Sequence, residues 1–149
     1  MNHSKTVLIT GATSGFGAAC AHKFGANGYR VILTGRREER LKEMQATLQQ
    51  QWGAESWVLP FDVQDRAAVF AAIESLPPEW QAVDVLVNNA GLALGRDGFD
   101  EANLNDWDTM IDTNVKGLLY VSKAVLPLMI KKGGGQVINI GSTAGKEVY

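Results

Sequence analysis

Thr6-Val7-Leu8-Ile9-Thr10-Gly11-Ala12-Thr13-Ser14-Gly15-Phe16-Gly17 is the stretch on which the fold turns. Residues 6–10 form a short apolar run that stops at a glycine, the pattern of a buried strand. Between residues 15 and 27, Ala18, Ala21, Phe24 and Gly25 recur at helical spacing, and the pattern stops near Gly28. Glycines at the intervening turn let the backbone approach a pyrophosphate, and the helix N-terminus adds amide donors and a partial positive charge. The spacing is G-x-x-x-G-x-G and differs from G-x-G-x-x-G. Glycines alone are equally compatible with an ordinary turn. Their place, after the first strand and ahead of an alanine-rich helix, assigns Gly11, Thr13, Ser14, Gly15, Phe16 and Gly17 to a dinucleotide-phosphate site.

The alternation continues outward from that unit. Residues 31–34 are a β-branched run closed by Gly35, and residues 37–52 carry Leu41, Met44 and Leu48 on one face of an amphipathic helix. Residues 56–61 read as a third strand, Asp65 as the N-cap of an alanine-rich helix through Ile73, and Pro77 and Pro78 as its end. Residues 83–87 give a fourth strand. A long helical pattern over 105–132 is expected to kink at Pro127, Gly133–Gly135 breaks it, and residues 136–140 give a fifth strand. Strands apolar on both faces and alternating with helices predict a parallel sheet covered on both sides, the doubly wound, Rossmann-like α/β class. Residues 1–149 read as one nucleotide-binding domain, with no internal linker, repeat or low-complexity tract.

Composition narrows the function. With 46% hydrophobic and 20% charged residues, the chain has the make-up of a folded globular protein. Lys and Arg number 14 against 16 Asp and Glu, a net charge of −2 that speaks against a nucleic-acid partner. The single cysteine, Cys20, cannot form an internal disulfide and gives no sign of an oxidising compartment. The longest apolar stretch, 117–130, is interrupted by Ser122 and Lys123, so no membrane span is expected. The apolar run at 7–9 is too short for a secretory leader. A cytoplasmic protein with a small-molecule partner and no metal is the expectation.

Gly35-Arg36-Arg37 follows the second strand, where an enzyme reading the ribose hydroxyls of NAD places an acidic residue. Here that slot holds glycine, and two arginines follow. A guanidinium suits a 2′-phosphate through its paired donors and fixed charge. Two solvated arginines at a helix start are the plain alternative, but cations there oppose the helix dipole. NADP(H) is therefore expected over NAD(H), with Arg36 and Arg37 as its readers.

Taken in order, Thr10–Gly17, Asp62-Val63, Asn88-Asn89-Ala90-Gly91, Asn114 and Ile138-Asn139-Ile140-Gly141-Ser142 resemble the short-chain dehydrogenase/reductase family. The likeness runs from the first strand to the last residue. More narrowly, Thr34-Gly35-Arg36-Arg37, Leu76-Pro77-Pro78-Glu79-Trp80 and the stretches 88–95 and 110–117 look like the NADP-dependent group that oxidises serine and other 3-hydroxy acids. The resemblance implies that Asp62 hydrogen-bonds adenine with Val63 beside the ring, and that Asn88, Ala90 and Gly91 form the wall behind the cofactor. It implies that Asn114 helps hold a water in a proton relay and that Ser142 hydrogen-bonds the substrate oxygen. It also implies a homotetramer with the 105–132 helix at an interface. From the residues alone, Asp62 is equally a strand-end turn residue, Asn-Asn-Ala-Gly a turn, and Asn114 a tolerated mid-helix exception.

Hydride transfer to or from a carbinol carbon needs a general base, which this family supplies as Tyr-x-x-x-Lys. No such pair occurs in the sequence. Tyr149 lies too close to Ser142 and matches an ordinary loop residue, Tyr120 and Lys123 read as core packing and a surface charge, and Tyr29 has no lysine after it. The chain thus reads either as the front part of a longer enzyme, truncated after the fifth strand, or as a dinucleotide-binding or NADPH-sensing protein without catalysis. A methyltransferase is disfavoured by Gly35-Arg36 in place of an acid, and an extended-type epimerase by the spacing of Gly11, Gly15 and Gly17.

Overall fold

The computed structural model describes residues 4–147. Five strands, β1 (Thr6–Ile9), β2 (Arg30–Gly35), β3 (Ser56–Pro60), β4 (Val85–Asn88) and β5 (Gln136–Asn139), form one parallel sheet in the order β3-β2-β1-β4-β5. Between them run α1 (Gly15–Ala26), α2 (Glu38–Trp52), α3 (Arg66–Glu74), α4 (Leu104–Ile111) and α5 (Leu118–Lys132). Because successive strand side chains point to opposite faces, each central strand serves two cores. Val7, Ile9, Val31, Leu33, Val85 and Val87 join Ala21, Leu41 and Leu48 of α1 and α2 on one side. Leu8, Ile32 and Leu86 join Val69 and Ile73 of α3 and Val121, Val125 and Met129 of α5 on the other. The expected doubly wound architecture is the observed one.

β1 pairs with β2 on one side and with β4 on the other, so the chain reverses its direction of sheet growth there. That reversal opens a crevice beyond the C-terminal ends of β1 and β4, where ligands bind in open α/β sheets. Local chemistry agrees with several expected boundaries. Asp65 caps α3 by accepting from Ala68 N at 3.1 Å. Gly53 and Gly133, at φ +63° and +111°, end α2 and α5 in the left-handed conformation that glycine adopts without strain.

One feature was not anticipated. The 105–132 helix carries Pro127 inside α5, and ahead of it the helix widens into a π-helical turn at Asp112–Gly117, between α4 and α5. There, side chains of the turn hold a neighbouring loop, an effect that helical spacing does not encode. The strands are not equally covered: β1 and β4 are wholly buried, whereas Gln136, Val137 and Asn139 of the edge strand β5 are exposed. Among the described residues no helix is long and apolar enough to cross a membrane, and no cluster of metal-binding side chains occurs.

Candidate functional site

A cleft of about 830 Å³ runs along the C-terminal edge of the sheet. At its centre lies the turn after β1. Gly11 sits at φ +62°, and a Cβ there would crowd Asn89 Nδ2 at 3.0 Å and Ala90 Cα at 3.2 Å. Gly15, at φ +54°, has nothing within 4 Å, so its glycine answers to backbone conformation alone. Thr13, Ser14 and Phe16 complete the rim, Phe16 with 75% of its surface exposed. Ser14 is the N-cap of α1 but makes no side-chain cap bond, and the first turn carries no acidic residue. The amides at this helix start are thus left for an anion.

Gly17 alone among the sequence-assigned residues does not line the cleft. It is buried in α1, where a Cβ would run into the Gly11 carbonyl oxygen and Asn89 Nδ2. Its role is close approach between helix and loop, which fits the fingerprint's helix-packing glycine.

The loop is fastened to β4 by groups that the sequence reading did not single out as site residues. Thr10 Oγ1 accepts from Asn89 N and Ala90 N, both at 2.9 Å, and donates to Val87 O at 3.4 Å. Asn89 Nδ2 returns the contact, donating to Thr10 O at 3.0 Å and Gly11 O at 3.1 Å. The partners are separated by 77 to 80 residues, so no local signal reveals the clamp.

At the β2 and β3 end, Arg36 and Arg37 line the cleft and are exposed, and neither forms a salt bridge among the described residues. Glu38 and Glu39 occupy the first turn of α2 and offset the dipole penalty expected for the arginines. What speaks for a ligand is that both arginines face the cleft. Asp62 and buried Val63 lie beside them. Asp62 Oδ1 accepts from Gln64 N at 3.0 Å, so the residue does serve as a turn former, while Oδ2 has no protein hydrogen bond among the described residues.

At the opposite end, Asn88, Ala90 and Gly91 form the wall after β4. Asn114 sits in the π-helical turn. Its Nδ2 donates to Leu92 O at 2.7 Å and its Oδ1 accepts from Leu92 N at 2.9 Å, which pins the chain just after Gly91. Ser142 lines the cleft at the end of β5 and accepts from Ala144 N at 3.1 Å through Oγ, leaving its hydroxyl proton to donate. The cleft's charged side chains are Arg36, Arg37 and Asp62 among the described residues. Tyr120 lies under the Arg66 guanidinium at 5.3 Å and Tyr29 packs edge-on against Phe24 at 4.8 Å, both away from the cleft. Tyr149 lies outside the described residues.

From β2, which the arginines follow, to β5, which leads to Ser142, there are three strand spacings, roughly 14 Å at about 4.8 Å each. The arginines and Ser142 thus stand at separate places along the sheet edge.

The family model described as short chain dehydrogenase matches residues 5–149. The NADP-dependent 3-hydroxy acid dehydrogenase YdfG of Escherichia coli strain K12 is 50% identical over 143 residues, covering 96% of this chain and 56% of that protein. Sulfoacetaldehyde reductase 2 of Chromohalobacter salexigens is 51% identical over 147 residues, 98% of this chain and 58% of that protein. Among solved structures, serine dehydrogenase from Escherichia coli superposes with a TM-score of 0.90 at 50% identity, over 97% of this chain and 65% of that one. The closed form of serine dehydrogenase complexed with NADP+ gives 0.88 at 50% identity, over 97% of this chain and 56% of that one. The chain thus spans a little over half the length of the curated relatives it matches.

Proposed function

The chain belongs to the short-chain dehydrogenase family, and from that membership we propose that it forms the cofactor-binding part of an NADP(H)-dependent oxidoreductase acting on a 3-hydroxy acid such as serine, or on its 3-oxo form. The observation that carries this reading is one continuous cleft with Arg36 and Arg37 at one end and Asn114 and Ser142 at the other. The α1 amides and the loop Gly11–Phe16 would hold the pyrophosphate. Arg36 and Arg37 would hold the 2′-phosphate, with Asp62 and Val63 against the adenine. NADP+ held there would accept the hydride of the carbinol carbon, and NADPH would return it to the carbonyl carbon of the 3-oxo form.

The remaining chemistry asked of this chain is orientation. Asn114 fixes the Leu92 backbone at the wall of the reacting end, and the Ser142 hydroxyl is free to donate to a substrate oxygen. Asp62, the cleft's carboxylate, belongs to the opposite end of the sheet and is no proton acceptor for a substrate at Ser142. On this reading the chain binds and positions, no Tyr-x-x-x-Lys pair stands within residues 1–149, and dinucleotide binding without turnover is the alternative.

Titration with NADPH and NADH tests the cofactor site, and an activity assay separates the two readings. NADPH should bind the chain more tightly than NADH, and Arg36→Ala should weaken NADPH about 10- to 150-fold, the worth of a charged hydrogen bond, with little effect on NADH. Equal losses for both would remove the 2′-phosphate assignment. Turnover of a 3-hydroxy acid or of sulfoacetaldehyde by the same chain would remove the non-catalytic reading.

A homo-oligomer, the family-implied tetramer, belongs to the proposal. It is supported by Leu104, Ile111, Val115, Leu119, Leu126 and Ile130, exposed apolar residues at helical spacing along α4, the π-helical turn and α5. The cytoplasm, where nicotinamide cofactors circulate, is the compartment we assign to it.

A further inference from the structure

The Asn88 side chain is 4% exposed and spends both its amide protons on other side chains. Nδ2 donates to Asn139 Oδ1 at 3.0 Å and to Ser122 Oγ at 3.0 Å, whereas Oδ1 is buried without a hydrogen-bond partner. Asn88 and Asn139 are register partners on β4 and β5. Beside them Asn88 O accepts from Ile140 N at 3.0 Å, and Ser142 follows two residues later in the chain. Ser122 stands on α5, does not line the cleft, and hydrogen-bonds Asn88.

The physical consequence follows from counting acceptors. Both acceptors of the Asn88 amide lie on its Nδ2 side. Turning the amide over would set Oδ1 against Asn139 Oδ1, oxygen to oxygen. Asn139 Oδ1 sets the orientation of the amide, and Ser122 Oγ accepts its second proton in that orientation. β5 is an exposed edge strand, paired to β4 by its backbone ladder and, near the end that leads to Gly141 and Ser142, by this side-chain tie.

We propose that Ser122 is a positioning residue for the Ser142 end of the cleft, acting through Asn88 on Asn139. The inference deepens the reading of this cleft as an NADP(H) site and rests on it. Losing the Ser122 oxygen leaves an Asn88 proton unpaired in a buried place, and the amide then leaves Asn139 to find another partner. The nicotinamide half of the ligand loses its wall. The adenosine half, held at β2 and β3, does not.

The test is a pair of titrations on the chain and on Ser122→Ala and Ser122→Thr. The probes are NADPH and adenosine 2′,5′-bisphosphate, which carries only the adenosine half. The expected result is a loss of about 2- to 13-fold in NADPH affinity for Ser122→Ala, the range of one neutral hydrogen bond. Bisphosphate affinity should stay unchanged, and Ser122→Thr, which keeps the acceptor, should behave as the parent. A red shift of bound NADPH fluorescence in Ser122→Ala should accompany the loss as the nicotinamide becomes wetter. Equal losses for both probes would mean a general structural role and overturn the inference, as would unchanged NADPH binding. A parent chain that binds neither probe would instead overturn the cofactor reading itself.

Discussion

Gly17→Ala tests whether the glycine loop is shaped by close packing more than by backbone freedom. The new methyl group would meet the Gly11 carbonyl oxygen and Asn89 Nδ2, two groups already bonded to each other at 3.1 Å. Relief requires the α1 N-terminus to move away from the Gly11 carbonyl and Asn89 to release Thr10 O and Gly11 O. Overpacking of this kind costs about 1–3 kcal/mol, and two hydrogen bonds add about 1 kcal/mol each. Alanine regains about 1 kcal/mol of helix propensity over glycine. The net expectation is about 2–4 kcal/mol, a large share of a typical 5–15 kcal/mol stability. Gly15→Ala is the internal control. Nothing lies within 4 Å of its Cβ position, so only the left-handed backbone at φ +54° opposes it, worth about 1–2 kcal/mol. Urea unfolding followed by circular dichroism measures both. If Gly17→Ala proves no more destabilising than Gly15→Ala, close packing does not shape this loop.

Other outcomes follow from the same contacts. Arg36→Ala should weaken NADPH about 10- to 150-fold and spare NADH, read by fluorescence titration. Thr10→Val deprives two half-buried amides, Asn89 N and Ala90 N, of their acceptor; it should cost about 1–3 kcal/mol and speed hydrogen exchange at both positions. Asp65→Ala removes the α3 cap and should lower stability by about 1 kcal/mol, and an unchanged urea midpoint would contradict the cap geometry. Leu119→Asp with Ile130→Asp should shift the chain to a smaller species in light scattering, since both residues lie on the exposed apolar stripe.

The parts of the fold that were legible in the sequence are those written in local periodicity. Apolar runs ended by glycine gave β1 and β2, and the Asp65 cap and the Leu41–Leu48 face appear where their residue types imply. The widening of the long helix at Asp112–Gly117 was not legible, since no proline stands there to mark it. There Asn114 turns its amide onto the Leu92 backbone, 22 residues away. The cleft wall was readable through Asn88, Ala90 and Gly91, and its fastening was not. Thr10 looks like the last residue of a strand and Asn89 like a turn former, until the sheet brings them together. Charge arithmetic at Arg36 and Arg37 was also incomplete, because Glu38 and Glu39 balance the helix start that the arginines seemed to burden.

The Thr10–Asn89 clamp has a consequence for how this cleft can change. It is made wholly of protein groups, so the loop holds its shape for the sheet's sake and ligand binding has little left to order. On the proposed reading, affinity for the common core of any dinucleotide is thereby built into the scaffold. Discrimination between dinucleotides falls instead to exposed side chains on which no packing depends, and substitutions of that kind usually move stability by less than about 0.5 kcal/mol. On the proposed reading, a lineage carrying this fold could exchange one cofactor for the other through a few changes at the rim, while the machinery that makes the crevice stays under purifying constraint.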